Sequence, residues 1–126
     1  TLSKEFKENA YIKSEYKNQL CETICNSYDL EEFILENIGG SFKHRGNKAI
    51  GVCPLHDGAN KKDAFVIRKD VNTFTCYSNC GVGNIITVAK QAYKTNDFSE
   101  IVFHFMEKYG LQVPEEMFGL RYKGGK

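Results

Sequence analysis

The stretch that decides the fold reads Ile50-Gly51-Val52-Cys53-Pro54-Leu55-His56 and resumes as Thr73-Phe74-Thr75-Cys76-Tyr77-Ser78-Asn79-Cys80-Gly81. It holds a C-x2-H pair, Cys53 and His56, and a C-x3-C pair, Cys76 and Cys80, with nineteen residues between His56 and Cys76. Zinc takes four thiolate or imidazole ligands in a tetrahedron, and two short ligand pairs separated by a hairpin's length of chain describe such a site. Gly81 follows Cys80 directly and Gly83 comes two later, so the backbone can bend toward the thiolates, while Pro54 stiffens the first turn. Three thiolates and a neutral imidazole leave the complex with one net negative charge, which nearby Lys and Arg would balance. Four protein ligands leave no open coordination position, so the expected cofactor is one structural Zn2+. The competing reading is of small core cysteines and a turn histidine.

The other cysteines fit this picture. The chain has five, an odd number with no apolar leader behind Lys4, which argues against a disulfide framework and for free thiols in a reducing compartment. Cys21 and Cys25 stand four apart on one face of an expected helix and read as core residues, because no partner pair remains for them. His44 reads as a surface residue in a basic loop and His104 as an exposed helix position.

Working outward, the period of the apolar residues changes twice. Phe6, Ala10, Ile12, Tyr16, Leu20, Ile24 and Cys25 recur at helical spacing, so residues 4–26 read as one or two helices after an N-cap at Ser3. Asp29 caps a further helix through Leu30, Phe33, Ile34 and Ile38, which Gly39-Gly40 ends. Strands are expected over Ala49–Cys53, Ala64–Arg68 and Thr73–Tyr77, with Phe65 and Ile67 on one face and Val66 and Arg68 on the other. Beyond Gly83 the helical period returns in two stripes, Ile85 to Tyr93 and Phe98 to Tyr109, the second closed by Gly110. The expected fold class is α+β: a small zinc-ribbon antiparallel sheet flanked by helices. The expected division is a helical arm over 1–27, a zinc-ribbon domain over 28–113 and a flexible basic tail or linker over 114–126. Three short strands bury too little surface to stand alone, and a metal supplies what is missing.

Composition bounds the function. With 126 residues, 41% hydrophobic and 26% charged, the chain is neither disordered nor coiled-coil, and no apolar run is long enough to span a membrane. It begins with Thr1, as a processed or excised chain would. The net charge is +1, but residues 41–70 carry seven basic and three acidic side chains while residues 1–40 carry four and eight. The basic middle points to an anionic partner and the alternative is an ordinary solvated surface.

Taken together, Cys-Pro-x-His, an Ala-Phe-x-Ile strand, an aromatic residue two before the third cysteine, and Gly-x-Gly-Asn-Ile-Ile opening a helix resemble the zinc-binding domain of bacterial and phage DNA primases, a CHC2-type zinc ribbon. The resemblance covers about residues 28–113 and marks the zinc-ribbon domain expected there as primase-type. It implies that Cys53, His56, Cys76 and Cys80 ligate zinc and that the exposed face of the ribbon contacts single-stranded template. It places Phe65 and Phe74 at the family's aromatic positions flanking the hairpin. The chain departs from the family in having C-x3-C in place of C-x2-C, and about two extra residues between His56 and Phe65.

Binding a single strand takes cations along the phosphates and flat side chains under the bases. The expected contacts are Arg45, Lys48, Lys61, Lys62, Arg68 and Lys69, with Lys43 alongside, and the aromatics Phe65, Phe74 and Tyr77. Phe65 and Phe74 also alternate with polar neighbours, as core residues of a half-buried sheet do. Primer synthesis needs acidic residues holding two divalent metals. No Asp-x-Asp or isolated acidic cluster on a strand-rich segment is present, so no catalytic residue is expected and catalysis falls to another domain or subunit. The expected partners are template DNA, a primase polymerase domain and a replicative helicase, in the cytoplasm at the nucleoid of a bacterial, phage or mobile-element system. The reading from another class is a structural zinc module for protein–protein docking in a replication or mobile-element complex.

Overall fold

The computed structural model describes residues 2–56, 61–78 and 80–121. In chain order the elements are α1 (Lys4–Asn9), β1 (Ala10–Ile12), a 3-10 turn (Ser14–Tyr16), α2 (Lys17–Ser27), α3 (Leu30–Asn37), β2 (Phe42–Arg45), β3 (Lys48–Gly51), β4 (Phe65–Arg68), β5 (Thr73–Cys76), β6 (Gly81–Gly83), α4 (Ile85–Ala92), α5 (Phe98–Tyr109), a second 3-10 turn (Glu115–Met117) and β7 (Phe118–Leu120). The mixture of helices with antiparallel sheet matches the α+β expectation. The chain divides into two compact units, residues 1–20 with 95–126 and residues 21–94.

In the central unit, β2 to β6 form a five-stranded antiparallel meander in sequence order. Two of these strands escape the sequence reading. Phe42-Lys43-His44-Arg45 reads as a basic loop, and Gly81-Val82-Gly83 has little strand propensity; both are edge strands, held by pairing with a neighbour. The register aligns Phe42, Gly51, Phe65, Cys76 and Gly81 in one cross-strand row and His44, Ala49, Ile67, Phe74 and Gly83 in another, on the inner face. Phe65, Ile67 and Ala49 are fully buried there and Phe74 nearly so. Phe65 stacks on Phe74 with ring centroids 5.0 Å apart.

The junction between sheet and α4 explains the Gly-Asn-Ile-Ile run. A Cβ on Gly83 would sit 2.7 Å from both the Phe74 ring and the Thr87 hydroxyl, so only glycine lets the strand pass. Asn84 caps α4: its Oδ1 accepts from the amides of Ile86 and Thr87, while Thr87 Oγ1 accepts from the Asn84 amide. Ile85 and Ile86 then turn into the core. Asp29 caps α3 as expected, accepting from the Glu32 amide at 3.0 Å.

The other unit differs from the sequence reading of its segments. Residues 4–26 hold two helices, α1 and all but the last residue of α2, within the expected one or two, but β1 lies between them and pairs with β7, Ala10 opposite Leu120 and Ile12 opposite Phe118. Pairing across more than a hundred residues overrides the local helical period, and no window of sequence contains both partners. Thus residues 1–20 and 114–121 are held together and with α5, where the sequence suggests a separate arm and a flexible tail. Phe6, Phe103 and Phe118 form an aromatic cluster with centroids 5.2 to 6.3 Å apart. The Ile12 amide donates to buried Ser99 Oγ at 2.9 Å, and Gly110 closes α5 in the left-handed region. Residues 122–126 of the expected tail lie outside the described residues.

Candidate metal centre and the outer face of the sheet

A meander sends alternate turns to opposite ends of its sheet. The β3–β4 and β5–β6 connections therefore share one end, and these two connections carry the ligand pairs. Cys53 and His56 follow β3; Cys76 ends β5 and Cys80 immediately precedes β6. The four ligand atoms all lie within 4.8 Å of one another. Cys53 Sγ is 3.7 Å from Cys80 Sγ, and His56 Nδ1 is 3.1 Å from Cys80 Sγ. Zinc–sulfur bonds of about 2.3 Å at tetrahedral angles give sulfur–sulfur edges of about 3.8 Å, so the cysteine pair has the spacing that one ion requires. Gly81 has φ +80° with open space around it, so the backbone angle and not crowding calls for glycine after the last ligand.

The surroundings suit a closed site. Cys53 and Cys76 are buried and His56 and Cys80 half-buried. The Leu55 amide donates to Cys53 Sγ at 3.4 Å, as in a ligand-bearing knuckle. Burial pushes the Cys53 thiol up to about 12; the Leu55 amide pulls the other way, and the Cys76 and Cys80 sulfurs raise it further. Burial also raises Cys80. Without a metal these thiols hold their protons; an ion supplies the positive charge that lets the thiolates form and cross-links the two turns. The donor set fits one zinc with no open position.

A family profile for the CHC2 zinc finger, the zinc ribbon of DnaG-type primases, matches residues 16–119. The chain belongs to this CHC2 zinc finger family. Among solved structures it is similar to the Aquifex aeolicus primase, a structure of zinc-binding and RNA polymerase domains, with a TM-score of 0.59 and 18% identity over 75% of this chain. The match spans 22% of that longer chain. Comparison with curated protein sequences gives no match. Of the two departures from the family, C-x3-C still brings Cys80 into the cluster. The longer segment after His56 includes residues 57–60, outside the described residues.

The sheet sorts the other expected contacts of this CHC2 zinc finger by face. One outer cross-strand row holds Lys43, Ile50, Val66, Thr75 and Val82, and the next holds Arg45, Lys48, Arg68 and Thr73. Lys43, Arg45, Lys48 and Arg68 are exposed and form no ion pair among the described residues. Lys61 and Lys62 are exposed just before β4, and Tyr77 is 70% exposed just after β5. Phe65 and Phe74 do not belong to this surface. At 0% and 1% exposure they form the inner-face stack, because the strand alternation that turns Val66 and Arg68 outward on β4, and Thr73 and Thr75 on β5, turns the two rings into the core. Lys69 also points away from the outer face. Its Nζ donates at 2.9 Å to Asp29 and to Glu31, so its charge is already matched. Cys21 and Cys25, read as core residues, are half-buried, while Leu20 and Ile24 between and beside them are buried.

Sequence reasoning missed a polar cluster at the opposite end of the sheet. Glu31 is 7% exposed and accepts from Lys69 and, at 2.7 Å, from His44 Nε2. Burial alone would raise the Asp29 and Glu31 carboxyls, but the Lys69 bonds, joined at Glu31 by His44, outweigh it and hold both below their ordinary values. Asn72, in the β4–β5 turn with φ +59°, accepts from the Leu30 amide and donates to the carbonyls of Cys25 and Tyr28. The one signal in sequence is an Asn at a turn, a residue that tolerates the left-handed region.

Proposed function

We propose that this zinc finger binds single-stranded DNA template across the outer face of its sheet, as the zinc-binding part of a DNA primase. Primer synthesis on that template then belongs to a polymerase domain, on the same polypeptide or on a partner. The observation that carries the reading is the sheet's sidedness. Lys43, Arg45, Lys48 and Arg68 share one solvent face with no ion pair among the described residues, whereas Asp29 and Glu31 in the same unit are taken up by Lys69 and His44. Exposed Tyr77 offers a ring on which a base can stack, and Lys61 and Lys62 extend the positive border. Phosphate contacts of this kind bind a strand with little sequence preference and in a salt-dependent way.

The test is fluorescence anisotropy of a labelled single-stranded oligonucleotide against the zinc-loaded protein across a salt series. Binding weakens as salt rises. The Lys43→Ala/Arg45→Ala/Arg68→Ala variant binds more weakly, and its log–log salt slope falls by about 2, since each phosphate neutralised on a single strand contributes about 0.7. A variant that binds as the parent does would overturn the assignment of this face. Absence of binding by the parent protein at low salt would favour the docking module.

A further inference from the structure

The outer face is not flat. Beside the β2 edge it sinks into an open groove of about 800 Å3, whose described lining includes apolar Ile50 and Val66, the cations Lys43, Arg45 and Lys62, and the carboxylate of Asp63. The four charged side chains are exposed, and none makes an ion pair among the described residues. Among the described lining residues Asp63 is thus the odd member, a carboxylate with no ion pair to a described residue in a groove otherwise suited to a polyanion.

We propose that Asp63 reads a base, making the groove prefer a template nucleotide whose exposed edge donates hydrogen bonds, guanine first. This rests on the reading of the outer face as a single-strand surface. An ionised carboxylate repels every phosphate that enters, so against a strand with few donors it only weakens binding. It becomes favourable when the ligand brings donors to it. The Watson–Crick edge of an unpaired base is open to such contacts. Guanine presents N1–H and N2–H side by side, matching the two oxygens of a carboxylate. Cytosine and adenine present one amino group, and thymine one imide N–H. Carboxylate side chains accept from base amino groups in this way in duplex recognition too. The apolar strand residues offer a surface for the base, and the three cations hold the phosphates on either side. The groove has the parts for affinity without Asp63; what Asp63 adds is a difference between bases.

The experiment compares anisotropy binding curves for oligothymidylate and for the same oligonucleotide carrying one central dG, dC or dA, with the zinc-loaded protein and its Asp63→Ala variant. The parent protein binds the dG strand about fivefold more tightly than oligothymidylate, at the low end for a paired base contact because the groove is open. The dC and dA strands fall between. Asp63→Ala erases the preference while its affinity for oligothymidylate stays the same or rises, since a repulsive charge is gone. Asp63 is exposed and outside the metal centre, so the variant keeps its zinc content and circular dichroism spectrum. Equal binding of all four strands by the parent would overturn the inference and leave the single-strand reading standing, as would a preference that survives in Asp63→Ala. Failure to bind any strand at low salt would overturn both.

Discussion

The two ends of the five-stranded sheet are tied by different chemistry. At one end the β3–β4 and β5–β6 connections converge on three thiols and an imidazole. At the other, the β4–β5 turn is fastened to the α2–α3 junction by the three hydrogen bonds of Asn72 and by Lys69 between Asp29 and Glu31. The first end depends on a bound ion. The second is complete within the chain, made of many small contributions. A small sheet gains its stability from both, but only the first can be removed in one step.

That difference can be broken most sharply by removing the metal. A strong chelator should abolish the strand signal of the central unit, because structural zinc contributes roughly 10–16 kcal/mol in small peptides at neutral pH. The unit of residues 1–20 and 95–121, held by its aromatic cluster and buried Ser99 contact, should keep its helical circular dichroism. An unchanged melting curve after chelation would show that the two ends do not differ in this way.

At the polar end the effects are smaller. Asn72→Gly keeps the backbone free to adopt a positive φ but deletes all three bonds, so a loss of about 2–3 kcal/mol in thermal or denaturant unfolding is expected. A loss well under 1 kcal/mol would mean that the turn stands without its anchor. Lys69→Ala should cost about 1–3 kcal/mol by leaving Glu31 buried with His44 alone. It should also change the acid limb. In the parent, Asp29 and Glu31 ionise at lower pH when folded than when unfolded, so the unfolded chain binds more protons and stability drops as pH falls below about 4.5, the ordinary Glu value. Without Lys69 that drop should flatten. A variant with the parent's acid limb would assign the acid sensitivity elsewhere.

The same contrast governs what could be read from the sequence. Metal ligands come in short pairs of rare residue types, so Cys53, His56, Cys76 and Cys80 are visible without a fold. The capped helices are visible too, because Asp29 and Gly110 act on their own neighbours. Asn72 reads as a turn residue and nothing more, since its partners lie more than forty residues away. β1 and β7 are invisible for the same reason. Phe65 and Phe74 carry both an aromatic and a core reading; the pairing register, which turns both inward, decides it. Lys69 looks like one more cation until α3 brings two carboxylates to it.

The ion's two anchoring segments lie on either side of the β4–β5 hairpin, so it closes residues 53–80 into a ring through its own bonds. A protease cut made between His56 and Cys76 would open the peptide chain without releasing either fragment. The halves of such a split protein should keep the five-stranded sheet in zinc and lose it in chelator, while the β1–β7 strand pair still joins the two pieces.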